Sequence, residues 1–301
     1  MLYPNVTAAD KRAALRERLA SGELLRFPGA FNPLSARLIE RKGMEGVYVS
    51  GAVLSADLGL PDIGLTTLTE VASRSQQIAR VTSLPVIVDA DTGFGEPLNV
   101  ARTTATLEDA GVAGIHLEDQ VNPKRCGHLD GKQVVGLDAA VKRIRAAVGA
   151  RRDPNFLIIA RTDARGVDGL DAAVDRAKAF ADAGADAVFP EAMTSLAEFA
   201  AVRGAVSVPI LANMTEFGKS ELFTTSQLAS VGVNIVIFPV SLLRLAMGAA
   251  ERALDVLTEQ GTLTSMVPQM QTRARLYEVL DYESYGRFDS GIYTFTLDDE
   301  H

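Results

Sequence analysis

The sequence predicts an α/β fold, a (β/α)8 TIM barrel with one extra helix at the N-terminus and a helical extension at the C-terminus. Short segments rich in Val, Ile and Phe alternate eight times with segments of helical periodicity. The apolar segments are nearly continuous, as is typical of parallel strands buried on both faces. The first, LLRFPGA, is not followed by the GxGxxG motif of an open dinucleotide-binding sheet. A closed barrel is therefore favoured over an open doubly wound sheet.

The predicted elements follow one another at regular intervals. An opening helix is predicted over 10–22, with Thr7 as its N-cap. Several helices close on a glycine, which adopts the left-handed capping conformation at little cost, at Gly111, Gly184 and Gly232. The predicted strands are 24–30, 46–52, 85–91, 113–119, 156–162, 185–191, 208–214 and 233–239. The predicted helices include 98–111, 137–151, 169–184, 195–206 and 241–261.

The chain is expected to form one domain, 1–301, with a tail over 266–301. Within the tail, the segment 270–288 has the pattern of a further helix. A closed barrel does not need this element, so we expect it to pack on a neighbouring subunit.

Composition limits the function. The net charge is −8 and the basic residues are scattered, which argues against nucleic acid as a partner because phosphate binding requires a clustered cationic face. No apolar run approaches the ~20 residues that span a membrane, and the N-terminus lacks the apolar region of a secretory signal. One cysteine cannot form an internal disulfide. These features predict a cytoplasmic location.

Acidic residues gather where the predicted strands end, which is where barrels of this kind place their active sites. Asp89 and Asp91 follow the third strand, and Glu118 ends the fourth beside His116. Carboxylates that converge in this way repel one another unless a cation neutralises them, and oxygen ligands favour Mg²⁺ or Mn²⁺. The alternative is that each acid caps a loop or a helix.

The loop after the fourth strand, NPKRCGHLDGK, contains the only cysteine of the chain, Cys126. Lys124 and Arg125 precede the thiol and His128 follows it, so the local charge favours the thiolate. Gly127 lets the backbone turn closely over a ligand. A buried structural cysteine is the alternative, and composition does not distinguish a nucleophile from a general acid or base.

These residues resemble the isocitrate lyase/phosphoenolpyruvate mutase superfamily. The segments VYVSGA, DADTGFG, HLEDQ, KRCGH, IIARTDA, FPEA and NMTEFG occur in the family's order and cover nearly the whole chain. KRCGH is the most specific, and the absence of large insertions is similar to the methylisocitrate lyase branch. The resemblance implies a (β/α)8 barrel whose last helix is exchanged between subunits, Mg²⁺ dependence, and a homotetramer built as a dimer of dimers.

The reaction implied by the resemblance is cleavage of a tricarboxylate, (2S,3R)-2-methylisocitrate, to pyruvate and succinate in the methylcitrate cycle of propionate catabolism. Carried over by position, Cys126 is the proton donor, Tyr48 the base, and Lys124, Arg161 and His128 further catalytic residues. Asp89, Asp91 and Glu118 are implied to hold the metal. The implied substrate-binding residues are Ser50, Gly51, Ala52, Asp89, Cys126, Gly127, Arg161, Phe189, Glu191, Asn213, Met214, Thr215, Arg244 and Arg273.

Substrate choice within the superfamily is expected to depend on Phe189. Isocitrate lyases place a tryptophan at the corresponding position, and this chain has none. The smaller ring leaves room for the extra methyl group of methylisocitrate. Isocitrate lyase activity, an oxaloacetate acetylhydrolase-like activity and an inactive dicarboxylate-binding barrel are the alternatives.

Overall fold

The computed structural model describes residues 4–127 and 131–294. His128 and the end of the predicted tail, 295–301, lie outside the described residues. The first helix, α1 (Ala8–Ala20), begins at Thr7, whose hydroxyl accepts a hydrogen bond from the backbone N–H of Asp10. The Asp10 carboxylate in turn accepts from the backbone N–H of Thr7, so the predicted cap is confirmed as a capping box.

All eight predicted strands are confirmed, and they pair in parallel. One ladder has the order β1-β8-β7 and the other has the order β2-β3-β4-β5-β6. Single parallel bridges, Gly29 to Tyr48 and Val188 to Ile210, join the two ladders and close the ring. The strands are β1 Leu25–Pro28, β2 Val47–Val49, β3 Val86–Asp89, β4 Gly114–Glu118, β5 Leu157–Thr162, β6 Ala187–Pro190, β7 Leu211–Asn213 and β8 Ile235–Phe238.

Helices follow every strand, as the βα repeat requires. They are α2 Pro33–Arg41, α3 Gly51–Asp57, α4 Leu68–Ala79, α5 Pro97–Asp109, α6 Leu137–Ala150, α7 Leu170–Asp182, α8 Leu196–Ala205, α9 Thr225–Ser230 and α10 Ser241–Gln260. Gly111, Gly184 and Gly232 have φ values of 82°, 97° and 81°, which confirms their left-handed capping conformation.

Strand side chains alternate between two cores because successive residues point to opposite faces. Those that point into the barrel, including Phe27, Ile87 and Phe189, are fully buried and fill its interior. Those that point outward, such as Val88 and Ile158, pack against the surrounding helices. The packed interior leaves polar groups no space except at the ends of the strands.

The tail differs from its prediction. The segment predicted as one helix forms two, α11 (Arg273–Leu280) and α12 (Tyr282–Tyr293). Asp281 between them is left-handed, with a φ of 56°, which ends one helix and redirects the chain. α10 has no buried residue, and its Leu245 and Leu254 are 69% and 61% exposed. Among the described helices, none is long and apolar enough to span a bilayer.

Candidate active site

The carboxyl ends of the strands enclose a small cavity of about 50 Å³. Most of the residues that the sequence predicts for the site line it: Tyr48, Ser50, Ala52, Asp89, Lys124, Cys126, Gly127, Arg161, Phe189, Glu191 and Asn213. A cavity of this size holds water rather than a tricarboxylate. A larger groove of about 720 Å³ borders Asp91.

Asp89 is held by backbone and side-chain groups at the end of β3. Its carboxylate accepts from the backbone N–H of Gly51, at 3.2 Å, and from that of Asp91, at 3.0 Å. A Cβ atom on Gly51 would lie 3.0 Å from Asp89 Oδ2 and 3.3 Å from Asp91 Oδ1, so a side chain there would crowd both carboxylates. Burial raises the pKa of Asp89, but His116, Lys124 and further groups lower it overall. The Asp89 side chain is therefore ionised at neutral pH.

Lys124 brings a cation to these acids. Its Nζ lies 2.5 Å from Asp62 Oδ1 and 2.8 Å from Asp91 Oδ1. Burial alone would lower the pKa of Lys124, but Glu118 and three aspartates raise it above its ordinary value. Burial and the charge of Asp89 raise the pKa of Asp91 to about 6. The loop thus supplies the positive charge that the acid pair requires.

Arg161 stands at the centre of a second group of charges. Its Nε donates to Asp163 Oδ2 at 2.9 Å and its Nη2 to Oδ1 at 3.2 Å. The same guanidinium is 3.4 Å from Glu118 and 3.7 Å from Glu191, and it lies over the ring of Phe189. Burial raises the pKa of Glu118 well above its ordinary value, despite the opposing effect of Arg161.

The acids at the mouth fit a hard divalent cation. Asp91 Oδ1 and both Glu118 carboxylate oxygens are buried without a hydrogen-bond partner among the described residues. Asp91 Oδ1 is close to Lys124 but not in hydrogen-bonding geometry with it. Within the described part of the chain, no three His, Cys, Asp or Glu side chains form a complete metal cluster. Mg²⁺ suits such a site because it keeps several waters and needs only one or two carboxylates.

Tyr48 and His116 form a buried pair beneath this site. Tyr48 Oη is 2.7 Å from His116 Nε2, and the rings are stacked. Burial lowers the pKa of His116 to about 4, although Asp89 acts in the opposite direction. Burial, followed by the charge of Asp89, raises the pKa of Tyr48 well above its ordinary value. Both side chains are therefore neutral, and the rings of His116 and Phe189 form a T-shaped contact with their centroids 5.3 Å apart.

Cys126 is half-buried, and its neighbour Gly127 lies deep in the site. A Cβ atom on Gly127 would stand 2.5 Å from both Arg161 Nη2 and Glu191 Cγ. A side chain at this position would require Arg161 and Glu191 to shift. The loop therefore places Cys126 and Gly127 in the lining of the same cavity as Arg161.

The remaining predicted site residues lie at different distances from the cavity. Asn213 Nδ2 donates to Glu191 at 3.2 Å, and Met214 is buried behind it. Arg244 donates to Thr215 Oγ1 at 3.3 Å and is paired with Glu216 at the rim. Arg273 is exposed at the start of α11, and a single chain does not bring it to the cavity.

Two residues that contact the predicted site residues were given no role by the sequence analysis. Asp62 pairs with Lys124 although it lies in a loop 62 residues earlier, and nothing in its local pattern indicates this contact. His116 lies within the fourth predicted strand, but its contact with Tyr48 becomes visible only when the two strands are placed in register.

Comparisons with known proteins identify the family of this chain. Residues 15–258 match the family model described as phosphoenolpyruvate phosphomutase. A probable 2-methylisocitrate lyase 2 of Corynebacterium glutamicum is 62% identical over 97% of this chain and 95% of its own. A 2-methylisocitrate lyase of Escherichia coli is 48% identical over 90% and 93%.

Several solved protein structures have a fold similar to that of this chain. An oxaloacetate acetylhydrolase with the inhibitor 3,3-difluorooxalacetate has a TM-score of 0.89 at 36% identity, covering 97% of this chain and 99% of its own. A phosphonopyruvate hydrolase with oxalate and Mg²⁺ has a TM-score of 0.84 at 30% identity, covering 93% and 98%. Fold and site together define an α/β-barrel enzyme. The chain belongs to the phosphoenolpyruvate mutase/isocitrate lyase superfamily.

Proposed function

We propose that the protein is a Mg²⁺-dependent carbon–carbon lyase that cleaves (2S,3R)-2-methylisocitrate into pyruvate and succinate. The observation that carries the proposal is that Cys126 and Gly127 line the same cavity as Asp89 and Arg161, with Gly127 packed against Arg161. Relatives named 2-methylisocitrate lyase, at 48% and 62% identity over nearly the full length, support the same substrate. The reaction would serve the methylcitrate cycle of propionate catabolism.

The carboxylates and Tyr48 act on the half of the substrate that becomes pyruvate. Asp89 and Asp91 would hold the metal, with Glu118 orienting its waters; Mn²⁺ could replace Mg²⁺. When bound, the cation supplies a Lewis acid for the α-hydroxycarboxylate oxygens and offsets the negative charge around Tyr48. Ser50, Gly51 and Ala52 bind the pyruvate carboxylate.

Tyr48 accepts the proton of the substrate hydroxyl as the carbon–carbon bond breaks. Its phenolic proton passes to Nε2 of the neutral His116, which lies 2.7 Å away. An imidazole protonated on Nδ1 leaves Nε2 able to accept. Without such an acceptor, the raised pKa of Tyr48 would keep the phenol protonated, so its oxygen could not take the proton of the substrate hydroxyl.

Cys126 completes the reaction on the succinate half. The bonding electrons remain on the succinate carbon, and the thiol donates a proton to it. Arg244, with Asn213, Thr215 and Glu191, binds the succinate carboxylates, whereas Arg161 binds the pyruvate portion. Lys124 compensates the charge of the acid pair, and Phe189 limits the space beside the substrate's methyl group. We further assign His128 to this half on the family pattern alone.

The cavity of about 50 Å³ must enlarge before the substrate enters. Lys124, Cys126 and Gly127 all belong to the loop after β4, and all three line this cavity. Movement of that loop would open the site, and its return would exclude water from the carbanion.

We also propose a cytoplasmic homotetramer, built as a dimer of dimers from single-domain chains, 1–301. Support comes from α10, whose apolar residues Leu245, Met247 and Leu254 remain exposed, and from the tail, 266–301, which a barrel does not need. Exchange of α10 and the tail between subunits would cover this surface and could bring Arg273 to a neighbouring site. Light scattering at micromolar concentration should give about four times the 32.1 kDa chain mass; a monomer would contradict this.

A substrate panel tests the function. Purified protein with Mg²⁺ is incubated with methylisocitrate, isocitrate or oxaloacetate, and pyruvate, glyoxylate and acetate are measured. We expect pyruvate from methylisocitrate at the highest kcat/KM, loss of activity with EDTA, and recovery with Mg²⁺ or Mn²⁺. Oxaloacetate hydrolysis without pyruvate formation would instead favour the acetylhydrolase alternative. Ligand binding without any product would favour an inactive barrel.

A further inference from the structure

We propose that Lys132 is a positioning residue that fixes the Cys126 segment against the Arg161 cluster. Its relevance to turnover rests on the proposed function, because that function makes Cys126 the proton donor. Lys132 belongs to the same loop but lies six positions beyond the thiol. It does not contact the cavity itself, so its action is through its neighbours.

The ammonium group of Lys132 joins the loop to the barrel. Its Nζ donates to the backbone carbonyl of Gly127 and lies 3.0 Å from Asp163 Oδ1. Only 7% of the residue is exposed, and Asp163 is fully buried. A lysine so deeply buried is rare unless it is paired, because an unpaired ammonium loses its hydration. The contact therefore ties the end of the loop to the barrel at Asp163.

Asp163 is a fixed anchor for this contact. Its carboxylate accepts two hydrogen bonds from Arg161, and its backbone N–H donates to Asp119 Oδ1 at 2.9 Å. One carboxylate thus holds both the guanidinium of the site and the ammonium of the loop. Any shift of Lys132 moves Gly127 relative to Arg161.

The other side of Cys126 is held independently. The Gln120 side chain donates to the Arg125 carbonyl at 2.8 Å and accepts from the Arg125 N–H at 2.9 Å. The residue before the thiol and the residue after it are therefore both tied to the barrel, by Gln120 and by Lys132. A thiol between two fixed peptide units has little freedom to drift. A misplacement of about 1 Å can reduce a rate by about 100-fold.

The test compares Lys132→Met with Lys142→Met, which replaces an exposed lysine of α6. Because Cys126 is the only cysteine, alkylation by iodoacetamide reports on that residue alone. The alkylation rate is followed against pH, and the plateau at high pH is compared so that accessibility is separated from ionisation. Steady-state kinetics with methylisocitrate and thermal unfolding are measured on the same full-length samples.

For Lys132→Met we expect kcat to fall about 100-fold, with KM changed less than about threefold. The plateau alkylation rate should rise several-fold because the thiol segment is no longer held. Lys132→Gln, which keeps a donor for Gly127, should give intermediate values, and Lys142→Met should match the wild type.

Wild-type kcat and plateau rate in Lys132→Met would overturn the proposal. So would a lowered unfolding temperature with an unchanged plateau rate, because that result assigns Lys132 to stability alone. If Lys132→Met does not fold, Lys132→Gln decides between the same outcomes. If the wild type fails to cleave methylisocitrate while the alkylation difference persists, the proposed function fails and the positioning role stands.

Discussion

Tyr48 Oη and His116 Nε2 lie 2.7 Å apart in the floor of the barrel mouth, both fully enclosed by protein. The two residues come from strands that are not adjacent in the sheet, with β3 between them. The pair links a phenol in the lining of the cavity to a base that is neutral at ordinary pH. Proton removal from a substrate hydroxyl is the chemistry that such a pair supports.

Tyr48→Phe tests this pair with minimal change in packing. The ring remains, but the oxygen that contacts His116 is lost. We expect kcat for methylisocitrate to fall by about 10² to 10⁴, the usual contribution of a positioned base, with KM changed little. Steady-state pyruvate formation measures both values. Retention of full kcat would remove Tyr48 from the mechanism.

His116 should remain neutral across the working pH range. Burial places its folded-state pKa at about 4, below the ordinary 6.5, so between these values only the unfolded chain binds the proton. Its contribution to stability is therefore complete above pH 6.5 and is lost as the pH falls toward 4. NMR of imidazole-labelled protein should show no titration of His116 down to pH 5. A midpoint near 6.5 would contradict the assignment.

Magnesium affinity should weaken in mild acid. The pKa of Asp91 is about 6 in the metal-free protein because burial and Asp89 disfavour its charge. A proton must leave before the cation binds, so Kd should rise about tenfold from pH 7 to pH 5. Calorimetry measures this directly. Asp91→Asn should bind weakly with a shallower pH dependence, whereas the exposed Asp138→Asn should match the wild type; a flat wild-type profile would exclude Asp91 as a ligand.

Phe189 is expected to set the preference between methylisocitrate and isocitrate. Its ring contacts both Arg161 and His116, so a larger ring there takes space from the substrate. For Phe189→Trp, the ratio of kcat/KM for methylisocitrate to that for isocitrate should fall about 10- to 200-fold. This is the selectivity that one methyl group usually provides in an apolar pocket. Phe189→Leu, which removes volume, should not lower that ratio. An unchanged ratio in the tryptophan variant would place the specificity elsewhere.

The fold could be predicted from the sequence because each strand is a short buried apolar run with its own periodic helix. Asp89 and Glu118 could be placed together for the same reason, since parallel strands end at one edge of the barrel. The tail was harder. Nothing in its pattern interrupts the helix at Asp281, where the left-handed conformation is a property of the folded chain.

Contacts between distant loops were beyond sequence reasoning. Asp62 and Lys124 meet because two loops fold over the same mouth, and neither loop has a periodicity that predicts it. The neutral state of His116 likewise depends on complete burial. Lys132 could be read as part of the reactive loop, but its contact with Asp163 requires the register of β5.

The central claim is that Cys126 protonates the succinate carbon after Tyr48 and the acid pair have enabled cleavage. The most direct measurement is the rate of pyruvate and succinate formation by Cys126→Ser and by the wild type at saturating methylisocitrate and Mg²⁺. We predict equal amounts of the two products from the wild type. The serine variant should lose at least about 100-fold in kcat while it binds succinate and pyruvate within a few-fold of the wild-type affinity. Full turnover by the serine variant would contradict the account.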